Sequence, residues 1–355
     1  MTRQPILFIT GASRSGTTLL SFVLRNHSSV LGLKELHYFG RACDPRAGRR
    51  HFSKKRAIEA AADMLARQEQ GALSYVIGPD HRREAAAIVA ALGPAGTDPV
   101  ELFAAVVNGL AASGGKSIAC EQTPRYIFYA RALLKLYPEA RVIHMIRDPR
   151  AVMASQKKRW QRRRLSSAAA RMPRYESLRV WVNYHPYTIA RLWMRATAEA
   201  LRLKAHPRVT LVRFEDLLRE PEATVRRICE RIGIDYEPGM LDVGQVNSSH
   251  QSSVGGMRRG LHSDAIDIWQ DVLTPAEVHI SERICAPLMG RLGYEPLAPR
   301  GVMWPAKAWY RFSYIAHLSG VLLVNPARAY VQGRALMRGD SVARRAEPGA
   351  TAMKG

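Results

Sequence analysis

The stretch FITGASRSGTTLL, residues 8–20, passes from an apolar, β-branched strand through a glycine-punctuated loop into an apolar helix. Its middle, GASRSGTT from Gly11 to Thr18, has the G-x-x-x-x-G spacing of a phosphate-binding loop. Glycines so placed let the backbone approach an anion, and the amides at the start of the following helix point at it. A Walker A loop continues with lysine and a hydroxyl residue, whereas this chain continues with Thr17 and Thr18. The nearest cation is Arg14, inside the loop. A bare strand-to-helix turn would account for the two glycines but not for Arg14, Ser15, Gly16, Thr17 and Thr18 in this order.

A second strand bears on which anion is held. RVIHMIRD, residues 141–148, is the counterpart of the strand whose terminal Asp holds Mg²⁺ in nucleotide hydrolases. Here Arg147 precedes Asp148, and Pro149 and Arg150 follow it, so the strand end is set up for an anion rather than a metal ion. A grip without lysine or metal suits a donor whose transferred group carries less charge than a γ-phosphate. A sulfuryl group meets that condition.

The bulk composition agrees with an anion-handling protein. The chain has 355 residues, 47% of them hydrophobic, enough for a large core. Its 53 Lys and Arg against 30 Asp and Glu leave a net charge of +23, which attracts nucleotides, anionic sugars, nucleic acid or acidic membrane. Cys43, Cys120, Cys229 and Cys285 are widely spaced and form no CxxC pair, which argues against zinc and against a disulfide scaffold. A reduced, cytoplasmic setting is expected, with no leader before the first strand at about Pro5. The longest apolar run, IAHLSGVLLV from Ile315, is too short to span a bilayer.

Along the chain, PILFITG reads as a strand, TTLLSFVLRNH as a helix ending near Asn26, and SVLGL as a short second strand whose end carries Lys34, Glu35 and His37. From about 44 to 115 the pattern is helical and irregular, as in an insertion. Strand KSIACE, helix RYIFYARALLKLYP, strand RVIHMIRD and helix AVMASQKKRW then alternate. A long helix from about Pro186 to His206, strand RVTLVRFEDL, helix PEATVRRICERIGI capped by Gly233, a loop over 242–265 and a closing helix from Pro275 complete the series. The alternation predicts an α/β fold with a parallel, doubly wound sheet flanked by helices. Residues 1–299 are expected to form one domain, with 300–355 as an aromatic and basic extension.

With these motifs in place, the chain resembles PAPS-dependent sulfotransferases, where PAPS is 3′-phosphoadenosine-5′-phosphosulfate. ITGASRSGTTLLSFVLRNHSSVLGLKE is similar to their 5′-phosphosulfate loop, helix and second strand, closest to the branch of tyrosylprotein and many bacterial sulfotransferases. VIHMIRDPRAVMAS resembles the 3′-phosphate strand and helix, and VRFEDLLREPEATVRRICERIGI a later family segment. HQSSVGGMRR is a weaker match. The resemblance implies a P-loop NTPase-like sulfotransferase fold that takes PAPS, releases PAP and needs no metal. It implies that Arg14, Ser15, Gly16, Thr17 and Thr18 bind the 5′-phosphosulfate, and Arg147 and Ser155 the 3′-phosphate. Arg159, one turn beyond Ser155, would support them, and Arg258 and Arg259 would close over the nucleotide. Glu35 falls where the branch has its catalytic glutamate, with His37 as competing base, on the same face if the strand continues.

The chain departs from the family at EQTP, residues 121–124, where Gln122 stands in place of a lysine expected to stabilise the leaving oxygen. Phe214 also replaces a frequent tyrosine. The acceptor hydroxyl is expected on a carbohydrate or glycolipid. The run QKKRWQRRRLSSAAARMPR, 156–174, has no acidic residue and suits an anionic acceptor, a membrane surface or simply a solvated basic face. The tail segment MWPAKAWYRFSYIAHLSGVLLV suits docking on the domain or a second subunit, or peripheral membrane contact. Nucleic acid is not an expected partner, since no nucleic-acid motif accompanies the charge. The other classes kept open are a P-loop small-molecule kinase and a basic polyanion-binding adaptor.

Overall fold

In the computed structural model, five parallel strands form one sheet: β1 (Ile6–Gly11), β2 (Val30–Gly32), β3 (Ile118–Glu121), β4 (Arg141–Ile146) and β5 (Val209–Arg213). Their order across the sheet is β2-β3-β1-β4-β5. The described residues are 4–47, 50–71, 75–159, 174–244, 261, 263, 266–297 and 304–324. Arg258, Arg259, most of the 242–265 loop, residues 160–173 of the basic run and the end of the tail lie outside them.

β1 is buried along its whole length because both faces are covered. Ile6 and Phe8 join a core on one side, and Leu7 and Ile9 join a second core on the other. That alternation turns an unbroken apolar run into a central strand. The helices are α1 (Thr17–Arg25), α2 (Lys54–Gln70), α3 (Pro79–Ala91), α4 (Pro99–Ser113), α5 (Ala130–Leu136), α6 (Pro149–Lys157) and α7 (Arg174–Val182). They continue with α8 (Pro186–Arg202), α9 (Phe214–Arg219), α10 (Pro221–Ile232), α11 (Trp269–Val272), α12 (Pro275–Met289) and α13 (Trp304–Val324). Proline opens α4, α6, α8, α10 and α12, where its missing amide costs nothing. α2, α3 and α4 fill the stretch between β2 and β3.

Three local expectations change. The strand predicted over 208–217 stops at Arg213, and FEDL forms the first turns of α9. Glu215 and Asp216 fall in that first turn, where carboxylates complement the positive end of the helix. Residues 124–129 form a 3₁₀ turn before α5, and α7 is a helix that the periodicity did not predict. α13 docks on the α7–α8 junction, and no helix among the described residues is long and apolar enough to cross a membrane.

The strand order places the topological switch between β1 and β4. The chain leaves β1 toward β2 on one side and leaves β4 toward β5 on the other, so a crevice opens at the carboxyl ends of this pair. Register sets Gly11 beside Met145 and Thr10 beside His144. One layer below the crevice, Thr10 Oγ1 and His144 Nδ1 lie 3.0 Å apart, fully buried. Burial pushes the His144 imidazole from 6.5 down to about 3, so it is neutral in the folded protein.

The unfolded chain therefore binds a proton that the folded chain refuses between those values. Stability is expected to fall as pH drops below about 6.5, by up to about 1.4 kcal/mol per unit from this residue. His144→Gln should flatten that dependence, as urea titrations at neutral and mildly acidic pH would register.

Candidate functional site

The loop after β1 is shaped by backbone that only certain residues tolerate. Gly16 caps α1 with φ 92°, and a Cβ there would lie 2.3 Å from Phe214 Cδ2, so glycine is required twice over. At Gly11 a Cβ would come within 2.9 Å of the Met145 carbonyl oxygen across the β1–β4 pair. Arg14 also takes a left-handed backbone, φ 79°, uncommon without glycine and costly unless its surroundings hold it. They do, through contacts from the turn that follows β4 and from α6.

Arg14 Nε donates to Ser155 Oγ at 3.0 Å, and Arg147 Nη1 donates to the Arg14 carbonyl oxygen at 3.2 Å. Gln156 Nε2 donates to the Ser13 carbonyl at 3.4 Å. The Arg147 guanidinium lies 4.2 Å over the Phe214 ring, so the phenylalanine that lacks a tyrosine hydroxyl serves as a platform for this cation. Burial pulls the Arg147 pKa down, opposed by Glu215, Asp148 and Tyr294. Arg14, Arg147 and Ser155, separated in sequence, thus meet at the switch point beside the start of α1. Thr17 is buried and Thr18 half-buried in the first turn, and α1 has no acidic residue there to repel an anion. Ser15 Oγ is fully buried without a hydrogen-bond partner among the described residues.

Asp148, at the position a metal-dependent reading would use, has other work. Its Oδ1 accepts from the Arg150 amide at 2.8 Å, capping α6, and its Oδ2 pairs with Arg150 Nη2 at 2.7 Å. Arg150 reaches on to Glu282, also at 2.7 Å. Glu215 accepts from the Asp148 amide at 2.9 Å and from the Tyr294 hydroxyl at 2.8 Å.

Across the crevice stand Glu35 and His37. β2 ends at Gly32, so the expectation that a continuing strand sets both on one face does not hold. A left-handed backbone at His37, φ 53°, turns its ring back instead, and Nε2 lies 3.0 Å from Glu35 Oε2. Burial pushes the Glu35 carboxyl up, but His37, Arg159 and Arg14 outweigh it and hold the pKa below the usual 4.5. Both side chains keep about a third of their surface in solvent, 35% and 32%. Lys34 is drawn away, its Nζ donating to the Glu69 carbonyl at 2.6 Å.

The residue that sequence reading missed is Glu121, fully buried at the end of β3. Its Oε1 accepts from the Leu36 amide at 3.0 Å and its Oε2 from the Thr123 amide at 2.9 Å. Thr123 Oγ1 in turn accepts from the His37 amide at 3.2 Å. The backbone between Glu35 and His37 is therefore pinned to β3. Burial raises Glu121 to about 7, with the Glu35 charge adding to it and the Thr123 and Leu36 hydrogen bonds opposing. A carboxylate closing an apolar strand was the available signal. Its neighbour Gln122 is buried with Oε1 lacking a hydrogen-bond partner among the described residues.

Against known proteins, the profile of the Sulfotransferase family matches residues 5–238. Nodulation protein NoeE of Sinorhizobium fredii is 28% identical over 313 residues, covering 82% of this chain and 66% of that protein. Human Carbohydrate sulfotransferase 6 is 32% identical over 174 residues, covering 44% of this chain and 42% of that protein. The chain thus spans less than two thirds of either relative. Among solved structures, the sulfotransferase domain from the curacin biosynthetic pathway superposes with a TM-score of 0.50 at 19% identity, covering 83% of this chain and 99% of that one. That likeness shows the fold.

Two substitutions test how the site is held. Glu121→Ala leaves the Leu36 and Thr123 amides buried without acceptors and is expected to cost about 1–3 kcal/mol, with Glu121→Gln recovering part of it. Gly16→Ala, placed against the Phe214 ring at positive φ, is expected to cost at least as much; denaturant unfolding measures both.

Proposed function

The chain belongs to the sulfotransferase family, and from that premise we propose that it transfers the sulfuryl group of PAPS to an acceptor hydroxyl. The observation that carries the reading is the meeting of Arg14, Arg147 and Ser155 over a lysine-free loop at the switch point. Buried polar groups fit an anionic donor there: Ser15 Oγ, without a hydrogen-bond partner among the described residues, the Thr17 hydroxyl and the amides opening α1 would serve the 5′-phosphosulfate. Arg147 and Ser155 are the residues for the 3′-phosphate, with Arg14 between the two anionic ends.

Glu35 is the proposed general base. Held ionised by His37, Arg159 and Arg14, it can take the acceptor proton as the new O–S bond forms and the bond from sulfur to the phosphate oxygen breaks, releasing PAP. His37 orients the carboxylate. Gln122 supplies a hydrogen bond but no charge at the leaving oxygen, so Arg14 takes more of the developing negative charge.

A saccharide or glycolipid hydroxyl is the proposed acceptor. The human relative's name supports a carbohydrate, and the +23 charge supports an acceptor that itself carries negative groups. Residues 1–299 would be the transferase unit, with α2, α3 and α4 shaping the acceptor side.

Calorimetric titration with PAP and with ATP, each with and without Mg²⁺, tests the class. PAP is expected to bind without metal, and Arg14→Ala or Arg147→Ala to weaken it roughly ten- to a hundredfold each. Preference for Mg·ATP would replace this reading with the kinase one. Glu35→Gln should keep PAP affinity while lowering turnover by about 10²–10⁴. The rate should fall on acidification only below the ordinary carboxylate value of 4.5, because Glu35 is the base in its ionised form; an acid limb above that value would overturn the assignment to Glu35.

A further inference from the structure

α13 has its amphipathic sense inverted. Tyr310, Ser313, Tyr314 and His317, at helical spacing, face the domain and meet its polar groups. His185 Nε2 lies 3.3 Å from Ser313 Oγ, Thr188 Oγ1 2.9 Å from His317 Nε2, and Arg191 Nη1 donates to the Tyr314 hydroxyl at 3.0 Å. The rings of His185, Tyr314 and His317 stack around this junction at centroid distances of 4.9–6.1 Å. The opposite side, where a soluble helix carries charge, carries Trp309, Phe312, Ile315, Leu318, Leu322 and Leu323, all exposed, Phe312 by 73% and Leu323 by 82%. On α7, against which α13 packs, Leu178 and Trp181 are exposed as well.

Charge identifies the occupant of this face. α13 contains no acidic residue, and residues 296–339 hold six Lys or Arg and no Asp or Glu. The stretch 156–174 that leads into α7 holds eight more cations, again without a carboxylate. Pairing two copies of a protein of charge +23 through a face whose own helix carries no acidic residue is opposed by like-charge repulsion. An anionic lipid surface complements both features: headgroups take the cations while Trp, Phe and Leu enter the acyl boundary. The helix is not apolar enough to cross.

We propose that the outer face of α13, with the exposed residues of α7, seats the protein on an anionic bilayer with the helix lying in the interface. The polar inner face fastens the helix to α7 and α8, so binding brings the whole domain to the surface. The inference does not depend on the donor or acceptor assigned above.

Co-sedimentation of the full chain with vesicles of phosphatidylcholine, with and without phosphatidylglycerol, tests it. Binding is expected only with the anionic lipid, weaker at high salt. Phe312→Glu and Ile315→Glu, both at exposed positions, should each reduce it roughly tenfold or more, from the lost apolar burial alone. Arg311→Glu should weaken it through charge. Light scattering and circular dichroism on the same samples check oligomeric state and fold. Absence of anionic-vesicle binding, binding equal on neutral vesicles, or a dimer dissolved by Phe312→Glu would each overturn the proposal, the last by assigning the face to a second copy.

Discussion

The pairing of β1 with β4 is the constraint on which the site depends. It brings Gly11 beside Met145, and from there the two chains diverge into the loop of residues 12–16 and the turn into α6. Only at that separation can Arg147 donate to the Arg14 carbonyl and Arg14 to Ser155. These bonds hold Arg14 in a left-handed backbone it would not choose alone. Gly16 completes the arrangement by letting Phe214 press against the loop while carrying Arg147 on its face.

Around this pair, buried carboxylates do the positioning. Glu121 pins the segment bearing Glu35 and His37, Glu215 fixes the amide of Asp148, and Asp148 caps α6 and orders Arg150. Each accepts backbone amides at the carboxyl end of a strand, where the sheet's own hydrogen bonds run out. In a chain with so large a cationic excess, acidic residues are scarce, and several are spent here holding loops rather than meeting solvent.

Much of this was legible beforehand. The strands and the loop helices follow from apolar runs broken by glycine and proline, because a central parallel strand and its first helix leave strong patterns. The loop residues and Arg147 could be named from order alone. Strand order could not, since no periodicity records which strands are neighbours. The Glu35–His37 pair was readable as residues but not as geometry, because it rests on a positive φ at a histidine and not on a strand face. Glu121 escaped because its partners are backbone amides far along the chain, and Phe214 was read for the hydroxyl it lacks, whereas its ring is what the structure uses.

The distance along the chain between β1 and β4 has a consequence for biosynthesis. Thr10 and His144 are 134 residues apart, and Arg14 and Ser155 are 141 apart. At ribosomal speed β1 therefore emerges on the order of ten seconds before the strand that covers its second edge. Through that interval an apolar, β-rich segment waits without its neighbour, the state most open to off-pathway association. Arg14, Arg147 and Ser155 cannot meet until the centre of the sheet closes, so a nascent chain lacks the part of the site that joins β1 to β4.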